Sequence, residues 1–324
     1  MKNILCLVVV LGCAVFLACQ KSAEGTDKKI IPPDAAVQKI SQDMDFNFVE
    51  GPAWDGKEYV YFTDIPKNLI YKYSVQEKSF TVFRENSGGA NGLMFDSQGR
   101  LVACEGGTGR LTAMDMEGHV VAVLADSFKG DRFNAPNDLV IDRFGGIYFA
   151  DPDFGLDENR PQEKKGVYYR KTDGSVVCLY DEMNKPNGII LSPDGSILYV
   201  VDTSSPYVRA FDVHGEGYVG DPYIFARLKM AEDTEGAWSG ADGLAMDIDG
   251  DLYVTTSLGV QIFSPNGDYI DTITVPEAPA NCAFGGQDMK TLFITARKNV
   301  YSIGLNVPGV VFPLKASPVK EKQR

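Results

Sequence analysis

Histidine is almost missing from this chain: His119 and His214 are the only two in 324 residues. Both fall in glycine-containing turns, Glu117-Gly118-His119 and His214-Gly215-Glu216, where exposed rings are expected. No histidine is placed to serve a serine nucleophile, no Gly-x-Ser-x-Gly elbow occurs, and no His-Glu-x-x-His zinc motif exists. Cysteine is also sparse. Cys6, Cys13 and Cys19 crowd the amino end, while Cys104, Cys178 and Cys282 stand singly in apolar runs with no Cys-x-x-Cys. That pattern excludes a disulfide framework and reads as small buried side chains. Positive charge is short: 31 Lys and Arg face 44 Asp and Glu, for a net charge of −13. A nucleic-acid partner, which needs a basic stripe, is excluded. No stretch sustains a helical period. The longest apolar run, Ile4–Ala18, is 15 residues and falls short of the roughly 18 needed to span a bilayer.

That run has its own meaning. Lys2 precedes it, and Leu17-Ala18-Cys19 closes it. A basic start, an apolar middle and a small residue before cysteine make a signal peptide, residues 1–19. Leu17-Ala18-Cys19 resembles a bacterial lipobox, which implies Cys19 as the lipidated residue; the alternatives are Val10-Leu11-Gly12-Cys13 as the lipobox, or plain secretion with cleavage near Ala18. Residues 20–40 are polar, carry Pro32-Pro33, and read as a flexible tether. The expected location is a bacterial cell envelope, periplasmic or outer-surface, with the membrane touched only through the lipid. A monomer is expected.

What the chain has in abundance is a repeat. Asn187-Gly188, an apolar run, the turn Asp194-Gly195 and a second apolar run ending at Asp202 form one unit. Five other units start at Glu50, Asn91, Asn137, Asp242 and Asn281, with spacings of 41, 46, 50, 55 and 39 residues along the chain. Two further short strands follow each unit, joined by Asx-Gly turns such as Asp173-Gly174; in the last unit they are expected at 300–303 and 310–312. Repeats of this length built from short strands predict an all-β, six-bladed β-propeller with four antiparallel strands per blade, over residues 41–314. Residues 315–324 are a polar tail. Two segments, 153–165 and 227–240, exceed what a hairpin needs and suggest loops that wall a binding site.

The first residue of each unit and the residue closing its second strand lie 14 positions apart, or 15 in the fourth unit. A hairpin returns such positions to the same end. The leaders Glu50, Asn91, Asn137, Asn187, Asp242 and Asn281 should therefore ring one mouth of the channel. The closers Asp64, Glu105, Asp151, Asp202, Thr256 and Thr295 should stand behind them as orienting partners. Asn-Gly and Asp-Gly are common turn dipeptides, so any single leader could be structural. A ring of converging carboxylates and amides needs a cation, because unpaired buried carboxylates are costly. Hard oxygen donors suit Ca²⁺, with Mg²⁺, Mn²⁺ or Zn²⁺ as the other candidates. Asp247-x-Asp249-x-Asp251 is no calcium loop, since Leu252 and Leu258 stand where Gly and Glu are required. Gly106-Gly107-Thr108-Gly109 is too little for a phosphate site.

Glu50-Gly51-Pro52-Ala53-Trp54, Pro136-Asn137-Asp138-Leu139-Val140, Pro186-Asn187-Gly188 with Tyr199-Val200-Val201-Asp202, and Ala241-Asp242-Gly243-Leu244 resemble the gluconolactonase/regucalcin (senescence marker protein) family. The resemblance runs over about 46–304. It implies one divalent metal in the channel held by Glu50, Asn187 and Asp242, with Asn137 binding metal or substrate, and Asp242 as general base in sugar-lactone hydrolysis. Two departures matter. The second blade reads Cys104-Glu105-Gly106-Gly107 without the histidine common in bacterial members, and the last blade reads Ala280-Asn281-Cys282 without the histidine of the organophosphate-hydrolysing branch. The reading is therefore a metal-dependent lactonase. Its alternatives are a non-catalytic propeller binding sugars or protein partners, or a hydrolase of another ester or of organophosphates. From repeat position and loop context, Asn91, Glu105, Arg132 and Asn281 should face the sugar. Trp54, Phe154 and Trp238 should form apolar walls, and Asp138 or Glu105 is the reserve base.

Overall fold

The computed structural model describes residues 29–155, 160–231 and 238–315. The signal peptide and Cys19 lie outside the described residues, as does the tail beyond 315. Six antiparallel sheets surround a central channel, giving a six-bladed β-propeller without helices among the described residues. Blades one to five each run from inner to outer strand in sequence order. Blade one is Val49–Trp54, Tyr59–Asp64, Leu69–Ser74 and Ser79–Glu85. Blade two is Ala90–Phe95, Leu101–Glu105, Arg110–Met114 and Val120–Ala125. Blade three is Leu139–Ile141, Ile147–Asp151, Gly166–Arg170 and Val176–Tyr180. Blade four is Pro186–Leu191, Ile197–Asp202, Tyr207–Gly215 and Tyr223–Arg227, with the short Tyr218–Val219 pairing antiparallel to the end of its third strand. Blade five is Leu244–Met246, Leu252–Thr256, Gly259–Phe263 and Tyr269–Ile273.

Blade six is built differently from expectation. Its first three strands are Asn281–Gly285, Thr291–Ala296 and Asn299–Gly304, and its fourth is Gln38–Lys39 from near the chain's start. Gln38 pairs with Ser302 and Lys39 with Tyr301. The amino-terminal segment thus closes the ring, and the described part of 20–40 is tied down. Ile30 is buried, and its carbonyl accepts from Asn306 N at 2.9 Å. Residues 310–312, expected as that outer strand, instead belong to a strap crossing the far end of blades six and five. Gly309 N donates to Met289 O at 2.8 Å and Val310 N to Met246 O at 2.9 Å. A fourth strand from 310–312 would have left the Gln38–Lys39 ladder without a partner.

The core lies between neighbouring sheets. One apolar cluster joins Tyr148, Ile190, Val200, Leu252 and Val254 of blades three, four and five; another joins Phe46, Phe62, Tyr71 and Phe293 of blades one and six. Around the channel the inner strands approach closely. A Cβ on Gly51 would fall 2.1 Å from Asn91 O, and one on Gly188 would fall 2.0 Å from Asp242 O. Backbone bonds stitch the same junctions: Gly92 N to Asn137 O at 2.7 Å, Gly188 N to Asp242 O at 3.1 Å and Gly243 N to Ala280 O at 2.7 Å. The glycine after a leader therefore serves contact between blades, not a turn.

Candidate active site

Each leader begins or just precedes an inner strand, so the fold carries all six to one end of the channel. Glu50, Asn91, Asn137, Asn187 and Asn281 are buried, and Asp242 keeps part of its surface open. Three of their oxygens, Asn91 Oδ1, Asn187 Oδ1 and Asp242 Oδ1, are buried without a hydrogen-bond partner. Such orphans are rare in folded proteins and ask for a ligand or ion. Asn187 is held in a definite sense: its Nδ2 donates to Thr203 Oγ1 at 3.0 Å, which leaves Oδ1 to the channel. Asn137 is placed by its backbone, N donating to Ala150 O at 2.9 Å and O accepting from Gly92 N.

Charge accumulates there. Burial first, then the Asp242 and Asp138 carboxylates, push Glu50 well above the usual carboxylate range, against the Gly51 N–H and the Asn281 amide. Burial first, then Asp138, pushes Asp242 up to about 8, while the Asn187 amide and the Arg297 guanidinium pull the other way. Asp138 is pushed up to about 7 by burial, against donors from Leu139, Asn281 and Ile189. Three crowded carboxylates resist ionisation beside amide oxygens lacking partners, a concentration of hard oxygens whose charge a cation would offset. Among the described residues no group of three or more His, Cys, Asp or Glu side chains is arranged to hold a metal. Any cation here draws on asparagine as much as on carboxylate.

Of the closers, Thr295 backs its leader directly, its Oγ1 donating to Asn281 O at 3.2 Å, whereas Asp64, Asp151 and Asp202 do not. Asp64 accepts from Asn47 N at 2.9 Å and Phe48 N at 3.2 Å, and Asp151 accepts from Asn134 N at 2.9 Å and Ala135 N at 2.8 Å. Asp202 accepts from Asn184 N at 2.7 Å. Each clamps the segment leading into its own inner strand, so it places the leader through the backbone. Glu105 is spent elsewhere. It is fully buried and accepts from Thr108 Oγ1 at 2.7 Å, Arg110 Nε at 2.6 Å and Thr112 Oγ1 at 2.9 Å, so both oxygens are engaged within blade two and no surface is left to meet a sugar. Arg132 is exposed on the same end, with Nη1 donating to Gly107 O at 3.2 Å.

Of the three aromatic walls, two belong to loops on the leader end. Trp238 is exposed and adjoins Ser239, whose Oγ donates to Thr203 O at 2.9 Å; Phe154 lies 5.2 Å from Lys185 Nζ. Trp54 is at the opposite end. Its strand, Val49–Trp54, carries the leader Glu50 near its start and Trp54 at its end, by the far hairpin, where Trp54 pairs with Val60. It lines a chamber of about 540 Å³ that opens on the far mouth. Asp138 was the least visible of the important residues. It stands where four of the other five units have glycine, and its Oδ2 accepts from Asn281 Nδ2 at 3.4 Å, linking blade three to blade six. The sequence named it only as a reserve base, within Pro136-Asn137-Asp138-Leu139.

The remaining sequence readings concern residues away from the site. His119 and His214 are exposed. Cys104 and Cys282 are buried and Cys178 is half-buried, all as free thiols. Asp247 Oδ1 accepts from Asp249 N at 3.0 Å and Asp251 N at 2.9 Å, a hairpin turn.

Comparison with known proteins follows the same outline. A gluconolactonase from Zymomonas mobilis is 29% identical over 297 residues, covering 85% of this chain and 82% of that protein. Regucalcin from Bos taurus is 27% identical over 270 residues, covering 79% of this chain and 85% of its own. A solved gluconolactonase from Xanthomonas campestris superposes with a TM-score of 0.76 at 28% identity, covering 87% of this chain and 96% of that one. The family model described as SMP-30/Gluconolactonase/LRE-like region matches residues 48–298, and with the ring of leaders in place the chain belongs to that family.

Proposed function

We propose that this protein is a divalent-cation-dependent hydrolase of sugar lactones. The observation that carries the reading is the set of partnerless oxygens on Asn91, Asn187 and Asp242, gathered from three blades beside the Glu50 carboxylate. Glu50, Asn187 and Asp242 would hold the cation, with Asn137 beside them, and Ca²⁺ suits an all-oxygen set best. A bound cation supplies Lewis acidity toward the lactone carbonyl oxygen and its developing negative charge. The chain's own residues do the rest. Asp242 takes the proton of the attacking water as oxygen bonds to the carbonyl carbon. When the ring C–O bond breaks, that proton passes to the leaving ring oxygen and the product is a hydroxy acid. Asn91 and Asn281 hold sugar hydroxyls, and Arg132 and Trp238 border the entrance.

A pH-stat assay over a panel of sugar lactones, with and without EDTA, tests this. Activity should vanish on chelation, return with Ca²⁺, and be absent in Asp242→Ala and Glu50→Gln while their thermal unfolding stays cooperative. Full activity in either variant, or in the chelated protein, refutes the mechanism. Sugar binding with no turnover would make the protein a binding module instead. We also place it at the cell envelope as a monomer anchored through Cys19; radiolabelled palmitate incorporated by the intact chain and not by Cys19→Ser would support this.

A further inference from the structure

The channel is divided. Asp138 and Asn281 form a floor, and behind it lies the chamber of about 540 Å³ that opens away from the leader end. We propose that this chamber is a second small-molecule site, taking a neutral ligand with an apolar, ring-sized body and a hydroxyl or amide donor at one end. The proposal does not depend on the lactonase reading.

Size comes first. Small-molecule sites occupy roughly 300–1,000 Å³ and are mostly apolar with a few placed polar groups. Trp54, Leu93, Phe95, Leu244, Phe284 and Phe312 supply the apolar walls. The four thioethers of Met94, Met116, Met246 and Met289 also line the space, and such side chains adapt to ligand shape. One wall is a built element. The strap carrying Val310–Pro313 is fixed to blades five and six by its backbone bonds, and Gly309 is glycine because a Cβ there would fall 2.1 Å from the Phe284 ring.

Chemistry of the floor sets the ligand's polar end. Asp138 Oδ1 accepts from Leu139 N at 2.9 Å and Oδ2 from Asn281 Nδ2 at 3.4 Å, with the Ile189 N–H a third donor to the carboxylate. A carboxylate oxygen can accept more than one hydrogen bond, so capacity remains for a donor arriving from the chamber. Charge excludes an anion. Lys57 is the one cation among the lining residues, against Asp55, Asp96 and Asp138. The rim acids are occupied: Asp55 accepts from the N–H groups of Lys57, Glu58 and Tyr59, and Asp96 pairs with Arg100 at 2.7 Å. A cationic ligand would thus find only the floor. A neutral donor fits both floor and walls.

Trp54 makes the test direct, because the chain has two tryptophans. In Trp238→Phe the remaining fluorescence reports on the chamber. The probe is 4-bromobenzyl alcohol, with its ring, its hydroxyl and a heavy-atom quencher. Saturable quenching is expected, weakened at least tenfold when Ala283→Phe is added to fill the chamber. A crystal of the unaltered chain soaked with the probe should show bromine between Trp54 and Asp138. Linear, non-saturating quenching overturns the proposal. So does equal affinity in a cooperatively unfolding Ala283→Phe variant, or bromine located elsewhere. If that variant does not fold, the bromine position alone decides.

Discussion

Asn281 Nδ2 donates to Asp138 Oδ2 at 3.4 Å, so blades three and six meet across the channel. The pair sets a third carboxylate beside Glu50 and Asp242, and its charge raises both. Asp138 itself is pushed up to about 7 by burial. Replacing it with Asn should therefore raise the Tm of the cation-free protein by several degrees at pH 8, where the carboxylate must ionise in a poor environment. At pH 5 wild type is protonated there and the gain should shrink to about zero. Scanning calorimetry in EDTA at both pH values checks this; a Tm lowered equally at both would contradict it.

The same cluster predicts a pH slope. The folded values of Glu50, Asp138 and Asp242 stand above the roughly 4 of an unfolded carboxyl, so the folded state binds protons that the unfolded chain releases. Stability is then greatest at low pH within this window and is lost as pH climbs through about 7 and 8. In EDTA, Tm should fall from pH 5.5 to pH 8.5. With millimolar Ca²⁺ the slope should flatten, because the cation takes the place of the protons. A Tm that rises with pH in EDTA would exclude this account.

Thr203 should control the cation through Asn187. Its Oγ1 accepts from Asn187 Nδ2 at 3.0 Å and leaves the amide oxygen facing the channel. Thr203→Val should weaken Ca²⁺ binding about 10-fold or more, and Thr203→Ser should restore it. Calorimetric titration of the chelated protein reads the affinity, and unchanged affinity in Thr203→Val removes Thr203 from the site.

The inner-strand glycines should be intolerant for a packing reason. Gly188→Ala places a Cβ 2.0 Å from Asp242 O, a backbone atom, and should cost about 3 kcal/mol or more. Gly304→Ala meets nothing within 4 Å and should be neutral. Urea unfolding of both variants decides; equal midpoints would sink the close-approach argument.

Much of this was legible in the chain itself. A repeat of about 40–50 residues, with hairpin turns inside it, announces blades because every signal is local. The ring of leaders was legible because a fixed offset along a hairpin returns to one end. What escaped depends on distant partners. Gln38–Lys39 is too short and too polar to read as a strand, and its partners Ser302 and Tyr301 are over 260 positions away. Glu105 sits in the closer position, but its fate follows from Arg110 and Thr112 on the adjacent strand. Trp54 shares a strand with Glu50, and only counting rise along that strand shows it at the other end. Asp138 meets Asn281 at a separation of 143 residues, which no local pattern encodes.

The ring closes on a strand from the chain's beginning, and that orders events during synthesis. The segment around Gln38 leaves the ribosome more than 260 residues before its partners Tyr301 and Ser302. Blades one to five can collapse as they emerge, but the circle stays open until the third strand of blade six has been made. A nascent chain stalled before residue 299 should therefore remain protease-sensitive at Gln38, however well its middle has folded.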